Sequence, residues 1–558
     1  MLKKYTFLLA LGCSILSGSA QQFCNPFEFP ILLSGNFGEL RNNHFHSGID
    51  FKTQGAEGKP VHAVQDGYVS RISVSPWGYG NALYLTHPDG TTTVYGHLQK
   101  YADKIAAYVK EQQYALQGFA VDLTPTPEQL PVKQGEVVAL SGNTGSSGGP
   151  HLHFEVRDTQ TQEALDPLNY YQERIADTRA PKIQGVMVYP IEGKGVVNGS
   201  SRKLALKTIA AKNGRQTLTG KIEAWGEIGF AIKAYDTMDG TSNIYGVKEI
   251  TLSVDSQVIF HSNLDRYAFS ETRYLNSFTD YEEWREHRSF YMKSFVEPGN
   301  RLRFIEAKNR GILTLDQPGS YHLNYRLMDA FGNISQLSIW VEAKKQSIPQ
   351  PDTIGTEHFY WNSDNRFGAK GIRFTVPRGI LYNDFNFRYQ VKEDSMALAA
   401  THILHNRPVP LHNLCPLSLR LQTDTLKNKS QYGIVGINGG RATWIGGTYR
   451  NGWIDGEIKE LGSYTIRQDV TPPVITPLNP AGWMRSRTFS FRLGDDLSGV
   501  QSYHGEVDGN FILFEMNNRS VITCRFDKEH IVRGKHTLKL KVKDGCGNQS
   551  IYTYSFVW

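Results

Sequence analysis

Residues 141–158, SGNTGSSGGPHLHFEVRD, run from a glycine-rich loop into a segment whose alternate positions are His151, His153 and Glu155. Alternate side chains of a strand point the same way, so the two imidazoles project side by side from a polar face. Leu152, Phe154 and Val156 take the opposite face, which can be buried. Such a strand is a good base for a metal, although H-x-H alone more often marks two solvated histidines. Two other segments shift that balance. One is His46-Ser47-Gly48-Ile49-Asp50, and the other is Tyr95-Gly96-His97-Leu98. A catalytic zinc takes three imidazole or carboxylate ligands and keeps a fourth position for water. His46, Asp50 and one of the pair His151 and His153 supply that set. The other member of the pair and His97 then serve as general base and as stabiliser of a developing oxyanion.

The order H-x-x-x-D, Y-G-H-L and G-N-T-G…G-P-H-L-H-F-E resembles the lysostaphin/LytM-type zinc endopeptidases, which cut peptidoglycan cross-links. The resemblance covers residues 25–169. It implies an antiparallel β-sheet peptidase domain, with Zn2+ held by His46, Asp50 and His153 and with His97 and His151 as the catalytic histidines that do not bind metal. All five positions are filled, which separates this chain from inactive members that serve only as activators. The substrate it implies is a peptidoglycan cross-link; three long β regions in place of a compact wall-binding module, the helical insertion and the secretory signal favour a D,D-endopeptidase acting on stem peptides over a glycine-bridge cutter. The alternative is a non-catalytic wall-binding protein, or an activator of another cell-wall hydrolase.

The elements that must position these residues are strands and turns. Residues 61–64, 68–74 and 82–86 are short strand-like runs punctuated by glycine. Pro88-Asp89-Gly90 is a turn signal that makes a hairpin of residues 83–85 and 91–95, leaving His97 just beyond a strand end. Tyr79, Asn81 and Asn143 are expected on loops beside the groove. His44, His62 and His87 lack partner motifs and read as structural. Residues 101–116 have helical spacing, with Ile105, Val109 and Leu116 near one face, and form an insertion relative to compact relatives. Such an amphipathic insertion pads a core more often than it narrows a groove.

The rest of the chain bounds the class. The 558 residues predict several domains: a signal peptide at 1–20, the peptidase domain at 21–175, and β regions at 176–347, 348–469 and 470–558. Lys3 and Lys4, an apolar run at 7–16 and Gly18-Ser19-Ala20 form the secretory signal, and lipidation through Cys13 ranks second. The expected location is extracytoplasmic, in the periplasm or cell envelope, with no later segment long and apolar enough to span a bilayer. The formal net charge of +6, two of it from Lys3 and Lys4, is too small to argue for nucleic acid. Of the cysteines beyond the signal, Cys24, Cys415, Cys524 and Cys546, the last two share one segment and are the expected disulfide partners.

The overall class is mostly β. Two regions, 176–347 and 470–558, share marks of an immunoglobulin-like sandwich: a proline-marked entry, an Asp near a glycine, and an Asp-x-x-Gly-Asn turn before the last strand. The first copy carries an insertion at about 263–309. Residues 348–469 have no assignable type. Their His402, His405, His412 and Cys415 have ligand chemistry, but Pro408 and Pro410 break any helix that would align them. The β regions are expected to position the enzyme at the wall or on a protein partner.

Overall fold

The structure, a computed structural model, describes residues 23–210, 216–394, 396–518 and 520–558. The signal segment expected at 1–20, with Cys13, lies outside the described residues. The fold is mostly β, as the alternating patterns predict.

The N-terminal sheet contains β1 (Leu33–Gly35), β2 (Ile49–Lys52), β3 (Gly67–Val74), β4 (Asn81–Thr86) and β5 (Thr91–Gly96). After helix α1 (Asp103–Ala115) come β6 (Val121–Leu123) and β7 (His151–Asp158). Their order is β1-β2-β7-β5-β4-β3-β6, with antiparallel neighbours throughout. The H-x-H strand is therefore central. Its register sets His153 opposite Asp50 on one side and opposite Gly96 on the other. Residues directly opposite in an antiparallel pair share a face, so this register alone brings Asp50 beside His153. Leu152, Phe154 and Val156 point the other way into a core with Ile49, Phe51, Leu83 and Tyr95.

Helix α1 buries Ile105 and Val109 in the same core, so the insertion pads it. Its outer side meets the C-terminal region, where Tyr114 stacks on His530 with ring centroids 3.6 Å apart and Lys110 pairs with Asp527 at 2.8 Å.

A short strand β8 (Ala164–Leu165) extends the sheet beyond β7. The next region includes the long strands β9 (Lys182–Val197) and β10 (Ile222–Tyr235), then β11 (Arg266–Tyr267). Two short helices follow, α2 (Leu275–Phe278) and α3 (Tyr281–His287), and β12 (Gly319–Met328) and β13 (Ile334–Ala343) close the region. Apart from β11, which pairs with β8, its strands form one continuous 11-stranded sheet, joined by a parallel pairing of β10 with β13, around one hydrophobic cluster. The expected insertion at 263–309 thus supplies β11, α2 and α3, and through β8 it continues the N-terminal sheet. The two cores also exchange residues: Phe37 and Phe45 join the second cluster, while Met238 and Tyr245 join the first.

Residues 357–468 include two five-stranded sheets around a third cluster, and residues 474–557 form two four-stranded sheets around a fourth. The expected Cys524–Cys546 disulfide is absent; Cys24, Cys415, Cys524 and Cys546 are all free. Cys524 sits in a strand of one sheet, facing the core, whereas Cys546 lies in the turn between two strands of the opposite sheet. Closeness in sequence did not bring them together. Among the described residues, no helix is long and apolar enough to cross a membrane.

Candidate active site

Three segments converge on one point. His46 Nε2, Asp50 Oδ1 and His153 Nδ1 lie 3.0 to 3.1 Å from one another, and all three residues are buried. The other ring nitrogens have partners that fix the tautomers. His46 Nδ1–H donates to the Asn36 carbonyl at 2.7 Å, and His153 Nε2–H donates to Glu155 Oε1 at 2.9 Å. With those tautomers, two imidazole lone pairs and a carboxylate oxygen face each other. Such a donor set needs a cation. Two nitrogens and one oxygen at this separation fit a zinc ion, whose ligands at about 2.0–2.1 Å stand a little over 3 Å apart.

The charges around the point agree. Burial pulls His46 down to about 4, against the pull of Asp50, so its imidazole is neutral and free to ligate. Burial also opposes charge on His153, but hydrogen bonds to Asp50 and Glu155 outweigh it and hold the group at about 9. Burial would raise Asp50, yet His46 and His153 together keep it well below the usual carboxylate range. The site draws positive charge.

The surrounding groups orient the donors. Arg41 Nη2 donates to Asp50 Oδ2 at 2.7 Å, leaving Oδ1 for the convergence point. Glu155, fully buried, accepts from Ser47 Oγ and Tyr79 OH at 2.5 Å each, and Arg157 Nε donates to its other oxygen at 2.7 Å. The polar face of β7, expected to be wet, is instead covered. Tyr79 stacks on His153 with centroids 5.1 Å apart, and the ring of Phe269 lies 4.3 Å from the Arg157 guanidinium. Gly48 is required where the His46–Asp50 loop crosses β7, since a Cβ there would sit 2.1 Å from the Phe154 carbonyl oxygen.

His97 and His151 stand beside the donor set, with ring centroids 4.8 Å apart. His97 Nδ1–H donates to the Thr144 carbonyl and His151 Nδ1–H to the Gly149 carbonyl, each at 2.8 Å. Both rings therefore offer Nε2, and His151 Nε2 lies 3.6 Å from Asp50 Oδ1. Burial, then the neighbouring histidines, push His97 down to about 3, so it stays neutral. It also holds φ of +60°, a sparsely populated conformation for a residue other than glycine and one that clusters at functional sites. His151 is the most exposed of the five, which makes its side the way in.

The structure thus brings together all five expected residues, His46, Asp50, His97, His151 and His153. Other expectations land elsewhere. Tyr79 belongs to the Glu155 network. Asn81 opens strand β4 and donates to the Leu98 carbonyl, and Asn143 Oδ1 is buried without a hydrogen-bond partner. His62 and His87 bond main-chain carbonyls, and exposed His44 does the same. His402 and His412 bond the hydroxyls of Tyr389 and Tyr382, and His405 accepts from the Arg388 N–H. Together with Cys415 they are absent from the clusters, among the described residues, that could hold a metal.

Sequence reasoning missed Asn36, Arg41, Ser47 and Arg157. Only Arg157 carried a signal, because it continues the alternation His151, His153, Glu155. It also missed the brace on the His46 loop. Asn36 exchanges side-chain hydrogen bonds with Gly246 at 2.8 and 3.0 Å. The backbone of Phe45 is held from both sides, by Thr272 Oγ1 and by Tyr267 OH at 2.9 Å, and Asn276 bonds Asn43.

Residues 44–121 and 120–167 match Peptidase family M23. The N-terminal region contains a peptidase family M23 domain. A second match, to the Zu5-like domain, covers residues 356–469, most of the region that had no assignable type. Curated relatives match through the M23 domain. An uncharacterized metalloprotease of Haemophilus influenzae is 38% identical over 110 residues, 20% of this chain and 18% of its own length. The peptidoglycan DD-endopeptidase ShyB of Vibrio cholerae is 38% identical over 111 residues, 20% of each. The DD-carboxypeptidase/endopeptidase Mpg of Neisseria meningitidis is 33% identical over 118 residues, 21% of each. The chain thus spans about a fifth of the length of these relatives. The solved catalytic domain of lysostaphin from Staphylococcus simulans is 26% identical, over 25% of this chain and 92% of that one, with a TM-score of 0.20.

Proposed function

We propose that this chain is a zinc-dependent endopeptidase that hydrolyses peptide cross-links of peptidoglycan outside the cytoplasm. The observation that carries the reading is the convergence of three potential ligand atoms, His46 Nε2, Asp50 Oδ1 and His153 Nδ1, with two further imidazoles beside them. A zinc ion held there would polarise a peptide carbonyl and lower the pKa of a water molecule. His97, its ring fixed by the Thr144 carbonyl, presents Nε2 beside the donor set, where a general base would stand. His151, the most exposed of the five, faces the approaching substrate and is suited to stabilise charge on the carbonyl oxygen. Glu155 and Arg41 hold the ligands; they are positioning residues. A pure wall-binder or activator has no use for this whole arrangement.

The favoured bond is the D,D cross-link between directly linked stem peptides. Tyr79, which stacks on His153, also lines a hollow of about 350 Å³ with Trp77, Arg157 and Phe269. Trp77 is half exposed at its rim. Space and aromatic surface of this kind suit a stem peptide with side chains better than a glycine bridge. The relatives whose names specify DD-peptidase activity match at 32 to 38% identity, and lysostaphin and a glycyl-glycine endopeptidase match at 31 and 29%. The test offers both substrates to one zinc-loaded preparation. Conversion of diaminopimelyl-linked dimers to monomers is expected. Cleavage of pentaglycine with dimers untouched would overturn the bond assignment and leave the metal chemistry standing.

A further inference from the structure

The second and fourth regions end their last hairpin in the same kind of loop, Asp329-Ala330-Phe331-Gly332-Asn333 and Asp544-Gly545-Cys546-Gly547-Asn548. In the first, Asp329 Oδ1 accepts from the N–H groups of Phe331 and Asn333 at 2.8 and 2.9 Å. In the second, Asp544 Oδ1 accepts from those of Cys546 and Asn548 at 2.9 and 2.8 Å. The asparagine amide then reaches a linker aspartate: Asn333 donates to the Asp177 carbonyl at 3.1 Å, and Asn548 to the Asp469 carbonyl at 3.0 Å. A third aspartate completes each group, Asp236 just after β10 and Asp495 just after the strand Thr488–Gly494. One carboxylate oxygen from each of Asp177, Asp236 and Asp329 lies within 4.8 Å of the other two, and so it is for Asp469, Asp495 and Asp544.

Turn-building accounts for the loops but not for Asp236. That residue is only 1% exposed, and neither of its carboxylate oxygens has a hydrogen-bond partner. Asp177 Oδ2 and, in the second group, Asp495 Oδ1 are also buried and unpartnered. The arginine of the first linker, Arg179, pairs with Asp239 at 2.9 Å rather than with the trio. A buried carboxyl that is neither paired nor hydrogen-bonded is protonated or bound to a metal, and a cation here would offset the burial and the like charges that oppose ionisation of Asp236.

We propose that Asp177, Asp236 and Asp329 form a binding site for calcium. All the donors are hard oxygens, without the nitrogen or sulfur that zinc favours. Three carboxylates leave room for the main-chain carbonyls and waters that calcium adds to reach six to eight ligands, in a geometry less exacting than that of magnesium. Each group joins a linker to the loop that faces the preceding unit. Ala330 and Phe331 pack against the M23 core and Gln172 bonds the Ala330 carbonyl at 3.0 Å, while Gln431 bonds the Asn548 side chain at 2.5 Å. Bound calcium at Asp177, Asp236 and Asp329 would fix the second region against the M23 domain.

The test titrates CaCl2 into the intact chain in calcium-free buffer by calorimetry, with circular dichroism to show that each variant is folded. One ion per chain is expected, lost in Asp236→Asn. Calcium at a hundredfold excess over Kd should raise the melting temperature of the wild type by roughly 5–10 °C. Without calcium, Asp236→Asn should melt no lower than wild type, because burial and the neighbouring Asp329 and Asp177 carboxylates disfavour charge on Asp236 and a neutral amide avoids that penalty. If that variant does not fold, Asp177→Asn takes its place. No calcium uptake, an unchanged stoichiometry in the folded variant, or an equal shift with MgCl2 would overturn the proposal.

Discussion

Glu155→Gln is the sharpest probe of how the site is held, because it keeps the shape and removes only charge and one acceptor. Glu155 Oε1 takes three donors, His153 Nε2–H, Ser47 Oγ and Tyr79 OH, while Oε2 takes Arg157 through Nε and Nη2 at 2.7 and 2.6 Å. A glutamine has one acceptor oxygen, so its NH2 must face donors in either orientation. If it faces Arg157, two charge-assisted hydrogen bonds are lost, each worth about 1.5–3 kcal/mol. The buried guanidinium is then unpaired, and breaking a buried pair from one side costs about 3–5 kcal/mol. The M23-domain transition should melt roughly 6–20 °C lower, taking about 2–4 °C per kcal/mol. If the NH2 faces His153, the imidazole loses the acceptor that fixes its tautomer and orientation. Loss of such an outer partner typically weakens metal binding about 10–100-fold. Competition with a chromophoric chelator measures that affinity, and calorimetry measures the melting. A folded Glu155→Gln protein with the zinc affinity and melting temperature of the wild type would refute the positioning role.

Asp50→Ala should lose zinc, because two remaining ligands rarely hold the ion tightly, and metal analysis of the purified variant checks it. His97→Ala and His151→Ala should keep one zinc per chain while turnover falls about 10²–10⁴-fold, the usual weight of a general acid–base group. If His151→Ala lost its zinc and His153→Ala kept it, the two roles would be reversed. Gly48→Ala should cost about 1–3 kcal/mol, since its Cβ meets the Phe154 carbonyl oxygen at 2.1 Å and displaces the strand that carries His153; a combined melting and zinc titration reads both effects.

Much of the site was legible because its logic is local. A period of two sets His151, His153 and Glu155 on one face, and the hairpin turn at Pro88-Asp89-Gly90 places His97 just past a strand end. The helix of the insertion also followed from its spacing, at Asp103–Ala115. What stayed hidden depends on contacts distant in sequence. Nothing near β7 says that Tyr79 and Phe269 will cover its polar face, and so the strand read as wet. Asn36 orients His46, but its own anchor, Gly246, is 210 residues away. Thr272 and Tyr267, which pin Phe45, come from an insertion that read only as extra length. The disulfide expectation failed for the same reason, because adjacency in sequence says nothing about which of two packed sheets a residue joins. The repeated Asp-x-x-Gly-Asn turn was visible as a pattern, yet its pairing with Asp177 and Asp236 required the folded chain.

Digestion of purified, directly cross-linked muropeptide dimers, followed by mass analysis, tests the central claim most directly. The zinc-loaded chain should convert dimers to monomers with the mass of one added water per bond cut. A chelator should abolish the conversion and re-added zinc should restore it. Dimers left intact by a fully zinc-loaded preparation, or cleavage indifferent to the chelator, would contradict the account.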